Sequence, residues 1–282
     1  MASQFLLLTA LFPLTADCFF FQGPKWNNLR VTWGKNPFSH NNFASMPRTE
    51  DKATKEGFVM KSNCNASTNF VGKRYWKDND PSVMLLYDVN GYIAGIQIGI
   101  TKGMKTGSGE NYPFERQINA PFVEDGDFYL ITAYFTDPAI VCTIGRNQSE
   151  FRYQGTGENL HIQNGTHPTD VITVPTREID VESTGWTKGK CFPSMGVHYW
   201  YNLREDMPCN ELFPVFLLYN RGNLNAFGWA LQANVAGSKR LEHPPKSSYS
   251  LFMKSVPSCL YSQGTLTTMH IYMTTMYYLN LC

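Results

Sequence analysis

The sequence predicts an α+β protein of two tandem homologous repeats, each a short helix against a mainly antiparallel β-sheet, with all-β sandwich repeats as the alternative. Three observations predict it. The chain repeats its own landmarks, each copy has a Pro-to-Gly segment of helical composition, and the remainder of each copy reads as alternating strands and turns. Asn28-Leu29-Arg30-Val31, with Gly34 and Pro37, returns as Asn159-Leu160-His161-Ile162, with Gly165 and Pro168. Gly72-x-x-Tyr75-Trp76 returns as Gly196-x-x-Tyr199-Trp200, and Val83-x-Leu85-Leu86-Tyr87 as Val215-x-Leu217-Leu218-Tyr219. Phe114, Gly126, Tyr134 and Cys142 match Phe252, Gly264, Tyr272 and Cys282. The organisation expected is a leader at 1–18, repeat one at 19–150 and repeat two at 151–282.

The leader comes first. Phe5–Leu14 is an apolar stretch followed by small residues, the pattern of a secretory signal peptide cut after Ala16 or Cys18. No later stretch supplies the roughly 18 to 20 apolar residues that a bilayer-spanning helix needs. Next come the short strands around Arg30-Val31 and His161-Ile162. Pro47–Gly57 then carries Glu50 and Asp51 early and Gly57 at its end, which predicts a short helix closed by glycine. Pro175–Gly185 repeats that logic. Val83–Tyr87, the Asn90-Gly91 turn and the run to Ile96 read as a hairpin. So do Val215–Tyr219, the turn at Asn220–Asn223, and Ala226–Val235. Phe128–Phe135 and Thr267–Met273 are closing strands, and 143–158 reads as a connecting loop.

The cysteines follow the repeat. Removing the leader after Cys18 leaves Cys64, Cys142, Cys191, Cys209, Cys259 and Cys282, an even set of the kind that forms disulfides in secreted proteins. Cys64 matches Cys191 and Cys142 matches Cys282, so the expected bridges are Cys64–Cys142 and Cys191–Cys282, with Cys209–Cys259 special to the second copy. Asn65, Asn147 and Asn164 each begin an N-x-S/T acceptor sequence and are expected to carry glycans on exposed loops.

Charge narrows the partners. Twenty-four basic against 23 acidic residues argue against nucleic acid as a partner. An extracellular protein, a glycan or a small molecule is expected instead. Nucleophile elbows and phosphate-cradling glycine loops are absent from the sequence. Glu124–Asp127 and Asp88–Gly91 have calcium-like residue types but read as turns.

Differences between the copies locate special chemistry. Five of the six histidines lie in repeat two; His198 faces Arg74 in the alignment and His270 faces Thr132. Imidazoles on sheet elements suit metal or acid–base work, so His198 and His270 are the candidate metal ligands, with copper or zinc as the cofactor if one is used. Strand alternation puts Met269, Ile271 and Met273 on one face and His270 on the other. Tyr75-Trp76 and Tyr199-Trp200 are assigned to the scaffold. Ligand contacts are sought in the loops that differ, Gly99–Tyr112 and Gly237–Ser248. The function expected is a secreted, disulfide-stabilised N-glycoprotein that binds a ligand or serves an extracellular structural role, with no cofactor. An extracellular metal-dependent oxidoreductase and a protease inhibitor or toxin-like effector are the alternatives.

Overall fold

The computed structural model describes residues 25–64 and 66–282. The expected leader, its cleavage point and the acceptor Asn65 lie outside them. The protein is mostly β-sheet, in two wholly antiparallel sheets with a few short helices. In chain order the strands are β1 (Arg30–Val31), β2 (Ala44–Ser45), β3 (Val59–Ser62), β4 (Lys73–Trp76), β5 (Met84–Tyr87), β6 (Ile93–Thr101), β7 (Val123–Asp125), β8 (Phe128–Tyr134), β9 (Leu160–Gln163) and β10 (Val171–Val174). They continue as β11 (Trp186–Phe192), β12 (Gly196–Tyr201), β13 (Val215–Asn220), β14 (Asn223–Leu231) and β15 (Thr267–Tyr272). The α-helices are α1 (Glu50–Lys55), α2 (Pro138–Val141), α3 (Gln148–Gln154) and α4 (Tyr249–Phe252).

The first sheet runs β3-β4-β5-β6-β8-β9-β10, with β7 also on β8; the second runs β11-β12-β13-β14-β15-β1-β2. Each sheet therefore ends on two strands drawn from the other half of the chain. Arg30 and Val31 pair with Tyr272 and Ile271, while His161 and Ile162 pair with Tyr134 and Ala133. The short strands are where the sequence puts them, but on the opposite sheet. Strands of two residues, β1 and β2, or four, β9 and β10, carry too short an alternation pattern to specify a neighbour.

Alternation within the longer strands builds the core. Leu85, Ile96, Ile98 and Ile131 of the first sheet share one apolar cluster with Leu217, Phe227, Trp229, Met269 and Ile271 of the second. Phe135 and Phe227 meet edge to face at 6.2 Å. The opposite face of the first sheet has its own small cluster of Phe70, Met84, Leu86, Leu130 and Tyr134. Burying aliphatic side chains of this size stabilises by about 1.5–3 kcal/mol each.

α1 forms as expected. Thr49 caps it by accepting from the Lys52 amide, and Gly57, at φ +85°, stops it while the Phe58 amide returns to the Ala53 carbonyl. The second expected helix does not form. Pro175–Gly185 contains only a 3-10 turn at Glu178–Asp180, held by Arg177 on both oxygens of Asp180 at 2.8 and 2.9 Å. Ile179 and Val181 are β-branched and disfavour a helix, and the Asp180 carboxylate is engaged locally. Conversely, the expected loop at 143–158 contains α3. Asn147 and Glu150 form a reciprocal capping box there, and the Asn-x-x-Glu spacing is its signature.

Matching side chains brace the two halves. Tyr87 donates to the Pro47 carbonyl, and Tyr219 to that of Pro175. Tyr75 donates to Glu50, which Lys73 also holds; Tyr199 donates to Glu178, which Lys188 also holds. Asp88 is fully buried in its turn, accepting from the amides of Asn90, Tyr92 and Arg146. Disulfides join Cys64 to Cys142, Cys191 to Cys282 and Cys209 to Cys259. They are the pairs read from the repeat. Asn147 is exposed and Asn164 half-buried.

Candidate functional site

Period-two alternation sets the chemistry of the second sheet's two faces. Tyr199, Leu217, Phe227, Met269 and Ile271 face the shared core. His198 and Trp200 of β12, Phe216 of β13, Gly228 of β14, and Thr268 and His270 of β15 lie on the opposite face. The segment from Glu242 to Phe252, with α4 at its end, lies across that face. It encloses a cavity of about 430 Å³.

The cavity is walled by Trp33, Phe192, Trp200, Phe216, Leu251 and Phe252, with His198, Glu242, Thr268 and His270 as its main polar groups. Trp33 reaches it because β1 belongs to the second sheet, and its ring meets Phe192 edge to face at 5.7 Å. Gly228 makes the width. It lies between Phe216 and His270 in register, and a Cβ there would fall 2.2 Å from the Phe216 ring. Only a hydrogen at this position lets the ring lie flat over the strand.

His270 is held by a carboxylate. Its Nδ1 lies 2.6 Å from Glu242 Oε2, with both side chains largely buried. Glu242 is itself saturated with donors. Oε1 accepts from the amides of Trp33 at 2.6 Å and His270 at 3.4 Å, and Oε2 also accepts from the Thr268 hydroxyl at 3.2 Å. Four donors thus converge on this one carboxylate. In the tautomer that directs Nδ1–H at Glu242, His270 Nε2 carries a lone pair. That atom is buried and has no partner among the described residues.

His198 is a different imidazole. It stacks on Trp200 and Phe216 with centroids at 6.4 and 5.7 Å, and faces Phe252 at 5.6 Å. Burial pushes its pKa down to about 3, and the neighbouring charge of His270, when protonated, adds to the effect. It is neutral across the physiological range, donating from Nδ1 to the Lys190 carbonyl at 3.2 Å.

The two candidate metal histidines are therefore brought together, with ring centroids 6.4 Å apart. Among the described residues, no group of three or more His, Cys, Asp or Glu side chains is arranged to hold a metal ion. The Gly237–Ser248 loop does supply Glu242, His243, Pro244, Pro245 and Ser248 to the cavity. Gly99–Tyr112 does not reach it; Ser108 and Glu110 instead meet Gln263. Trp200, assigned to the scaffold, is a cavity wall, whereas its counterpart Trp76 packs on Phe128. Glu242 lies within the Gly237–Ser248 loop where ligand contacts were expected but was not singled out there, and Trp33 carried no signal because it reaches the site only through the strand exchange.

The chain matches no protein-family model, no curated protein and no solved structure. The chemistry of the cavity is thus the basis for a functional reading.

Proposed function

We propose that this is a secreted, N-glycosylated binding protein built from a duplicated module, and that the cavity on its second sheet takes a small, largely apolar ligand. The observation that carries the reading is the cavity itself. A volume of about 430 Å³, aromatic walls and a few convergent polar groups are what small-molecule sites share. Three disulfides support an extracellular setting. The matching strand orders and the paired Tyr–Pro and Tyr–Glu hydrogen bonds support the duplication. The other concavities are less suited: one is lined by Arg116, Arg204 and Glu211, another by Lys77, Asp78, Asp80 and Arg240.

The test is titration with N-phenyl-1-naphthylamine, a neutral apolar fluorophore. Saturable one-to-one binding is expected, and Ser248→Trp with Leu251→Trp, which fills the mouth from half-buried and exposed positions, should abolish it. Equal binding by wild type and the double variant would refute the assignment.

A second reading keeps the same residues. His198 and His270 share one cavity, and Glu242 stands behind His270 as carboxylates stand behind metal-bound imidazoles. Copper or zinc would then be the cofactor of an oxidoreductase. Stoichiometric metal in the purified protein, lost in His270→Phe, would favour this reading over the first.

A further inference from the structure

The donors and acceptors around the cavity are unevenly spent, and the imbalance specifies a ligand class. Among the described residues, the side-chain donors of the cavity wall are committed to the protein with one exception at the rim. Trp33 Nε1 donates to Ser194 Oγ at 2.8 Å, and Trp200 Nε1 to the Phe252 carbonyl at 3.4 Å. Ser248 donates to the Pro245 carbonyl at 2.7 Å, and His243 Nε2 to that of Val235 at 3.2 Å. Thr268 donates to Glu242, His270 Nδ1 donates to Glu242, and His198 Nδ1 donates to the Lys190 carbonyl. Among the described residues that exception is the Lys35 ammonium, on the exposed rim.

Lone pairs are left over. His270 Nε2 has one with no partner among the described residues, and Thr268 Oγ1 keeps acceptor capacity beside it. Behind both lies the Glu242 carboxylate, the only acidic group in the cavity wall among the described residues. A buried acceptor without a partner costs free energy that an incoming donor relieves. The walls add the same preference, because the faces of Trp200, Phe216 and Phe252 carry negative quadrupole potential and attract cations.

Building on the proposed ligand-binding role, we propose that the cavity selects a small organic amine in its ammonium form. The ammonium donates to His270 Nε2 and Thr268 Oγ1 and is balanced by Glu242. The carbon skeleton lies against Trp200, Phe216 and Phe252. Organic anions are excluded, since they would bring acceptors to a site that presents acceptors, next to a fixed negative charge. Lys35 does not reverse this, because its charge is in water at the rim and is screened there.

Three ligands with one ring and different charge test the assignment: 2-phenylethylamine, ethylbenzene and phenylacetate, each measured by calorimetry with the intact protein. The amine is expected to bind roughly tenfold or more tighter than ethylbenzene, by one relieved acceptor and one ion–carboxylate attraction, with phenylacetate weakest. His270→Phe should bring the amine and ethylbenzene to similar affinity. If that variant fails to fold, Thr268→Val should weaken the amine severalfold and leave ethylbenzene unchanged. Ethylbenzene or phenylacetate binding as well as the amine would overturn the amine assignment and leave the cavity's binding role standing. No binding of any of the three would overturn both.

Discussion

Replacing His198 by Phe should flatten the protein's stability between pH 7 and pH 5. His198 is 2% exposed and stacked among Trp200, Phe216 and Phe252, so its charged form is poorly accommodated and its folded pKa lies at about 3. In the unfolded chain an imidazole titrates near 6.5. As pH falls below that value the unfolded state takes up a proton that the folded state refuses, so stability is present above about pH 6.5 and lost below it. Integrating one proton from pH 7 to pH 5 gives a loss of about 2 kcal/mol, growing to about 4 by pH 3. Carboxylates enter later. Glu178, whose pKa burial raises but whose bonds from Lys188 and Tyr199 bring it below the usual value, loses its contribution only as pH falls through the carboxylate range. His161, also lowered by burial, shares the upper window, so the informative quantity is the difference between wild type and variant. Urea unfolding at pH 7 and pH 5 measures it. Wild type should lose about 2 kcal/mol more than His198→Phe; an equal loss in the two proteins would refute the buried neutral imidazole.

The exchanged strands predict that neither half of the chain folds alone. Residues 25–158 and 159–282, expressed separately, should each lack ordered tertiary structure by near-ultraviolet circular dichroism and regain it on mixing; a half that folds alone refutes the exchange. Cys209–Cys259 closes a loop of sequence separation 50, so the Cys209→Ala, Cys259→Ala double variant should lose about 4 kcal/mol in urea unfolding at most. No loss would show the bridge to be energetically idle. Gly228→Ala pushes a methyl group into the Phe216 ring and the Met269 carbonyl, and should destabilise by about 1–3 kcal/mol while weakening the naphthylamine probe. Unchanged probe binding would show that the ring position does not set the cavity's width.

Much of the fold was legible in the sequence because the chain supplies its own comparison. Two weak strand patterns that agree, as at Val83–Tyr87 and Val215–Tyr219, outweigh either alone, and the matched cysteines reduced the pairing problem to the three bridges seen. The parts that stayed hidden have physical causes. Strands of two residues, such as Arg30-Val31, bury too little to announce which sheet edge they will close. The Pro175–Gly185 segment shares Pro and Gly with α1 but not its helix-forming interior, so copying one reading onto the other failed. For the site, the columns that differ between copies pointed to His198 and His270. Of the partners that give them meaning, Glu242 lies in a loop that the comparison of the copies marked without singling out the residue, and Trp33 follows a strand that the internal repeat placed on the other sheet.

The contrast between the sheets explains why the described cavity opens on the second. In the first sheet Met84, Gln97 and Thr132 lie side by side in register, and Gln97 Nε2 donates to Thr132 Oγ1 at 2.9 Å. Arg74 in the next strand pairs with Asp125 at 2.6 Å and stacks over Phe70. That face is packed with side chains, and Gln97 and Arg74 each have a polar partner on it. In the second sheet the register-equivalent residues are Phe216, Gly228 and His270, with His198 in place of Arg74. Losing the Gln side chain at Gly228 clears the middle of the face, and replacing Thr by His270 puts an acceptor there whose other nitrogen is fixed by Glu242. An arginine in place of His198 would bring a charge into a space enclosed by four aromatic or imidazole rings; a neutral imidazole does not. The proposed duplication would thus supply a scaffold able to carry a closed face and an open one. A handful of substitutions on one side of one sheet accounts for the difference.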